Sequence, residues 1–234
     1  DIIGGIGEGV AALGAAADIP LDTAATIITS AVQSFGLGAD KAVEVADKLA
    51  GAANASIVDI QDLGVSMKYA GGVASALGIQ FDDVNTALAL LGTYGIRGST
   101  AGTSLRQTLV SLSGATEKAK GRLEELGIIT EDGRNRFFNT DGSAKSLAET
   151  FQILQDATKG MTDEAKLAAF KDIFQTRALP TVIALTKEGA AGFEEMYGEI
   201  SKTTAAEVAA KRLDNLSGDI EILKGNLETL AIEA

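Results

Sequence analysis

From Pro20 onward, apolar residues recur at helical spacing between short glycine-rich or polar breaks. Ala24, Ile27, Ile28, Ala31, Val32 and Phe35 fall every three or four residues, the spacing of one helix face. Pro20-Leu21-Asp22 opens this helix, and Gly36 and Gly38 stop it. Asp40 is placed to cap the next helix, whose apolar face holds Val43, Ala46, Leu49 and Ala53. Asn54-Ala55-Ser56 breaks it. A third helix runs over about 58–76, with Ile60, Leu63, Met67, Ala70, Val73, Ala74 and Leu77 on its apolar side and Gly78 at its end. Asp82 or Asp83 starts a fourth, through Val84, Ala87, Leu88 and Leu91. Gly92, Gly95, Gly98 and Gly102 read as a loop, after which Leu105, Leu109 and Leu112 resume the helical period.

The second half changes texture. Residues 116–126 form a short charged helix ending at Gly127. Over 128–140, Ile128-Ile129-Thr130, the Glu131-Asp132-Gly133 turn and Arg136-Phe137-Phe138 predict a small β-hairpin, followed by a polar turn at 139–143. Helices return at 146–158 and 162–174. Pro180 begins or kinks the next, and Gly189 and Gly192 separate it from a segment around 193–200. In 205–232, Ala209, Leu213, Leu216, Ile220, Leu223, Leu227 and Leu230 follow alternating four- and three-residue steps, a heptad seam. Residues 2–17 are rich in Gly and Ala and read as a loosely packed or flexible helix.

The fold expected is therefore mainly α: a multi-helix Gly/Ala-rich module with one small β-hairpin and a long C-terminal amphipathic helix. It divides into a lead-in segment (1–19), a helical core (20–203) and the heptad-patterned helix (204–234). Softer boundaries lie near 112–115 and 201–204.

Composition narrows the chemistry. The chain is 46% hydrophobic with only 5% aromatics and 27 Gly, so its core must use aliphatic residues and close backbone approach. Mean hydropathy of +0.17 fits a packed chain better than a disordered one. A net charge of −12 opposes nonspecific binding to nucleic acid. Cys and His are both absent, which removes thiolate nucleophiles, disulfides, the usual general base and the usual zinc ligands. No basic-then-apolar leader stands at the start. The chain opens on Asp1 and ends within a helical pattern at Ala234, as an excerpt of a longer polypeptide would.

Candidate sites read as structure. The glycines at 92–102 lack the Lys of a phosphate loop, since Gly102 is followed by Thr103-Ser104. Asn139-Thr140-Asp141-Gly142-Ser143 resembles part of a calcium loop, but Phe137 and Ala148 stand where ligands belong. Asp82-Asp83, Glu124-Glu125 and Glu194-Glu195 are adjacent pairs, which on a helix cannot face each other across a cleft. They read as solvated faces and helix-dipole partners. Asn54-Ala55-Ser56 and Asn215-Leu216-Ser217 match a glycosylation sequon of little specificity. Arg97, Arg106 and Arg177 are expected to pair within the chain. No catalytic, cofactor or metal residue is assigned.

Three segments carry a family resemblance: Ala-Ala-Thr-Ile-Ile-Thr-Ser-Ala-Val-Gln-Ser-Phe-Gly (24–36), Val-Ala-Asp-Lys-Leu-Ala-Gly-Ala-Ala-Asn-Ala-Ser (45–56) and Leu-Gly-Val-Ser-Met-Lys-Tyr-Ala-Gly-Gly-Val-Ala (63–74). Gly102-Thr103-Ser104-Leu105-Arg106, Phe174-Gln175-Thr176-Arg177-Ala178-Leu179 and 213–230 follow in order. Over about 20–232 the chain resembles the core region of phage tail tape measure proteins. That resemblance implies a structural, non-enzymatic role in a phage or prophage tail: setting tail length and nucleating the tail tube. The implied partners are the chain itself in a helical bundle, the tail tube, the tail tip or initiator, and the assembly chaperones. The implied place is the tail lumen or tip, after assembly in the host cytoplasm. The repeated small residues also admit a second reading, in which helices such as 2–19 and 63–79 enter the host envelope during DNA delivery.

Overall fold

The computed structural model describes residues 2–114 and 116–215, the first four of these by backbone alone. The helices are α1 (Ile2–Ala17), α2 (Leu21–Ser34), α3 (Ala42–Ala55), α4 (Ile60–Ala76), α5 (Phe81–Thr93), α6 (Gly98–Ser111), α7 (Glu117–Glu125), α8 (Leu147–Ala157), α9 (Asp163–Ile173) and α10 (Leu179–Ile200). Residues 205–215 are also helical. Several starts are written locally. Asp59, Thr116, Ser146 and Thr162 each accept the backbone N–H three residues on, satisfying a donor that the first helical turn leaves free.

Helix α5 is the centre. Every residue from Val84 to Gly92 is buried, and α3, α4, α6, α8 and α10 all pack on it. A single apolar cluster extends outward from it through Leu13, Ile28, Leu49, Leu63, Leu105, Phe151 and Leu185. Its buried polar groups bond across helices: Asn85 Nδ2 donates to the Lys48 carbonyl at 2.8 Å, and the Ser104 and Thr181 hydroxyls meet at 2.6 Å. Helix α1 packs on α3, with Leu13 fully buried. Helices α7 and α9 pair at one side, where Arg122 Nη2 and Lys118 Nζ reach Asp172 at 2.7 and 2.8 Å.

Four expectations are corrected. The described residues contain no sheet. The 128–140 hairpin is instead a turn-stitched loop with isolated antiparallel bridges at Ile129–Asn135 and Phe138–Ala144. Its apolar residues plug the core rather than line a strand: Ile128 and Phe137 are fully buried. Asn135 organises the loop, donating to the Leu112 carbonyl and accepting the Phe137 N–H.

Asp40 does not cap α3. It lies in a 3-10 turn (Ala39–Lys41), and Lys41 occupies the cap position without a side-chain bond. Helix α5 starts at Phe81, so Asp82 and Asp83 sit in its first turn instead of before it. The supposed glycine loop shrinks to 94–97, because Gly92 ends in α5 and Gly98 and Gly102 belong to α6. Gly189 divides α10 as expected: at φ 57° and ψ −167° it is not helical, so two helical stretches meet there at a kink, and Gly192 lies within the second. Of the heptad positions, Ala209 is buried and Leu213 is 62% exposed. Leu216 through Leu230 lie outside the described residues.

Candidate functional site

The small residues of the 35–73 region meet other parts of the same chain. A methyl group on Gly51 would strike the Ile200 carbonyl of α10, and one on Gly64 would stand 2.7 Å from Ile27 Cγ1 of α2. The partner of α4 on its other side is α6, where Gly102 lies against the Ser66 backbone and the Tyr69 side chain. Ser66 Oγ donates to the Gly98 carbonyl at 2.8 Å at the same crossing. These notches fix how closely the helices approach.

The singled-out polar residues are also engaged locally. Asp82 pairs with Lys48 at 3.8 Å, and Lys48 Nζ sits 4.4 Å from the centre of the Tyr197 ring. Asp83, in the first turn of α5, is half-buried against the start of α8, and desolvation pushes its carboxyl up to about 6, aided by Asp82 and Glu149 and opposed by the Leu147 N–H. Glu125 pairs with Arg122, whereas Glu194 and Glu195 are exposed. Asp141 accepts from Ser143 N and Oγ at 2.9 and 2.7 Å, closing the turn that resembled a calcium loop. Asn54 Nδ2 donates to Thr203 Oγ1 at 3.4 Å. Arg97 meets Asp62 at 3.8 Å. Arg106 and Arg177 have no ion-pair partner among the described residues. Those residues also hold no group of three acidic side chains placed to bind a metal.

Several surface grooves escaped the sequence reading. A groove of about 490 Å³ lies between α8, α9 and α10, lined by Gln155, Lys166, Leu167, Phe170, Ile183, Thr186 and Lys187 among others. Two apolar residues of its lining are partly open, Leu167 at 38% and Ile183 at 45% exposed. Thr186 is only 7% exposed, and its hydroxyl has no hydrogen-bond partner. The groove draws on residues 155–187, spread over three helices, so no linear motif announces it.

No single helix among the described residues is long and apolar enough to cross a membrane. Ile6–Ala17 and Leu21–Ser34 reach that composition only as a pair bent by 118°. Leu13, Ala24, Ile27 and Ile28 of that pair are spent in the core.

Comparison with known proteins agrees with this structural character. The chain is 30% identical over 207 residues to the tape measure protein of Pneumococcus phage Dp-1, covering 88% of this chain and 17% of that protein. It is 26% identical over 212 residues to the probable tape measure protein of Escherichia phage P2, covering 89% of this chain and 25% of that protein. The chain thus spans a quarter or less of the length of these relatives. No solved structure matches it. The family profile described as phage-related minor tail protein matches residues 1–175, and the chain belongs to that family.

Proposed function

We propose that the chain is the folded module of a phage tail tape measure protein. The whole protein spans the tail lumen, sets tail length and nucleates tube assembly. This module acts through helix–helix contacts with itself and with the tube, initiator and chaperone proteins. It assembles in the host cytoplasm and ends in the virion tail, at the lumen or tip. Its role is structural, not enzymatic.

One observation carries the reading: similarity to two tape measure proteins covers nearly all of this chain but a quarter or less of theirs. A ruler needs long extended helix, at about 1.5 Å per residue. This piece is instead folded around a buried central helix. It therefore suits an initiating or anchoring role beside the extended part.

The test is an in-frame deletion of this segment from the parent gene, with tails counted and measured by electron microscopy. Loss of assembled tails is expected. Tails that still assemble and are shorter by roughly 350 Å, the length of this many residues as straight helix, would show that the segment is ruler rather than initiator.

A further inference from the structure

Helix α10 bends at Gly189, and the groups around the bend are held from outside the helix. In an unbroken helix the Ala190 N–H donates to the Thr186 carbonyl, since each residue bonds the fourth before it. Here both groups bond α8. Gln152 Oε1 accepts the Ala190 N–H at 3.0 Å, and Gln155 Nε2 donates to the Thr186 and Lys187 carbonyls at 3.0 and 3.1 Å. Gln152 Nε2 also donates to Gln155 Oε1 at 3.3 Å, joining the two amides into one clamp. At the C-terminal cap of α5, the Tyr94 hydroxyl donates to the Glu188 carboxylate. Thr186, Lys187, Glu188 and Ala190 thus each have a partner on another element.

The core-facing pattern of α10 nevertheless runs unbroken through the bend. Val182, Leu185, Gly189, Phe193, Met196 and Ile200 are buried at steps of three and four residues, the spacing of one continuous helix face. That pattern suits a straight α10 as well as the bent one. We propose that Gly189 is a hinge, and that α10 exchanges between the bent form clamped by Gln152 and Gln155 and a straight form in which Thr186 and Ala190 bond each other. Hydrogen bonds are swapped rather than lost, which keeps the two forms close in free energy. Glycine is the residue that permits both, since φ 57° with ψ −167° is essentially closed to side chains. The groove between α8, α9 and α10 changes shape with the hinge, because Gln155, Ile183 and Lys187 all line it. Anything that fills the groove in one form alone biases the hinge toward that form.

Gly189→Ala separates the two forms. In the bent form the added methyl would stand 2.7 Å from Gln155 Oε1 and 2.9 Å from Gln152 Oε1, at a φ that alanine avoids. In the straight form alanine is the better helix former. Residual dipolar couplings of the backbone amides read the angle between 181–188 and 190–200. Two axis directions are expected in the unaltered chain and one in the variant, with the melting temperature within ~4 °C of the original. Relaxation dispersion on the unaltered chain should reveal a minor state of about 1–10%, seen at 186–191 and at the side-chain amides of Gln152 and Gln155. The minor-state shifts of Lys187 and of both side-chain amides should match the ground-state shifts of the variant.

Flat dispersion over 186–191 overturns the hinge whatever the variant does. A folded Gly189→Ala that keeps the bend also overturns it, because the corner is then fixed by the packing around it. So do minor-state shifts that differ from those of a folded variant. If the variant fails to fold, the minor-state Cα shifts of Gly189 and Ala190 in the unaltered chain decide. Helical values sustain the straight form, whereas coil values mean local unravelling and sink it. The hinge goes beyond the tail assignment and is independent of it, since the deletion phenotype tests the tail role and these spectra do not.

Discussion

A methyl group added at Gly102 would stand 2.8 Å from the Ser66 Cα and 2.9 Å from the Tyr69 Cβ, while one added at Gly72 on α4 would meet nothing within 4 Å. The same substitution should therefore act with opposite sign. Gly72→Ala should stabilise by about 1 kcal/mol through helix propensity. Gly102→Ala gains the same propensity but must part α4 from α6, for a net loss of about 1–2 kcal/mol. Urea unfolding of the two variants checks the pair, and equal effects would refute the crossing.

Asp83 gives a pH-dependent counterpart. Its folded carboxyl titrates at about 6 against an ordinary 3.8, so the folded state holds the proton more tightly than the unfolded chain. Stability attributable to it falls as pH rises through that window, and the penalty is complete above it. Asp83→Asn keeps an acceptor for the Leu147 N–H and should stabilise by about 2 kcal/mol near pH 7.5, but hardly at all near pH 3.5. Unfolding midpoints at the two pH values measure this. At this scale sequence alone was weakest. Gly72 and Gly102 look alike in a string, and only the opposing helix makes one a notch and the other a free position.

At the scale of elements, the kink in α10 is held from outside. Gly189 at φ 57° and ψ −167° breaks the helical ladder in a backbone region that essentially only glycine enters. Helix α8 recovers the interrupted groups. Gln152 Oε1 accepts the Ala190 N–H at 3.0 Å, and Gln155 Nε2 donates to the Thr186 and Lys187 carbonyls at 3.0 and 3.1 Å. Replacing either glutamine with Ala should cost about 1–2 kcal/mol and accelerate amide exchange around Ala190. Unchanged exchange there would mean that water serves those groups as well as α8 does.

Sequence located α2, the end of α4, α8 and α9 because their signals are local: Gly36 and Gly78 at positive φ, and Ser146 and Thr162 as caps. It failed over 128–140 because apolar runs on either side of an Asp-Gly turn report burial and a turn, not pairing. Ile128 and Phe137 are buried by neighbouring helices, and no ladder forms between them. It missed the groove because three separate helices contribute to it.

For the whole molecule, the contrast between folded module and extended ruler is large enough to measure in solution. A chain of 234 residues packed as one body has a radius of gyration of about 18 Å. The same residues as a straight helix would be roughly 350 Å long, with a radius of gyration near 100 Å. The contacts favour the packed value, because they close between distant parts of the sequence: Gly51 on Ile200, Lys48 on Tyr197, Asp47 on Ala205. Each spans about 150 residues, so extension would break all of them and expose the core around α5. Small-angle X-ray scattering at low concentration should return about 18–22 Å. A dilute value above about 60 Å would mean that this segment is itself extended, and its contribution to a tail would then be counted in length rather than in contacts.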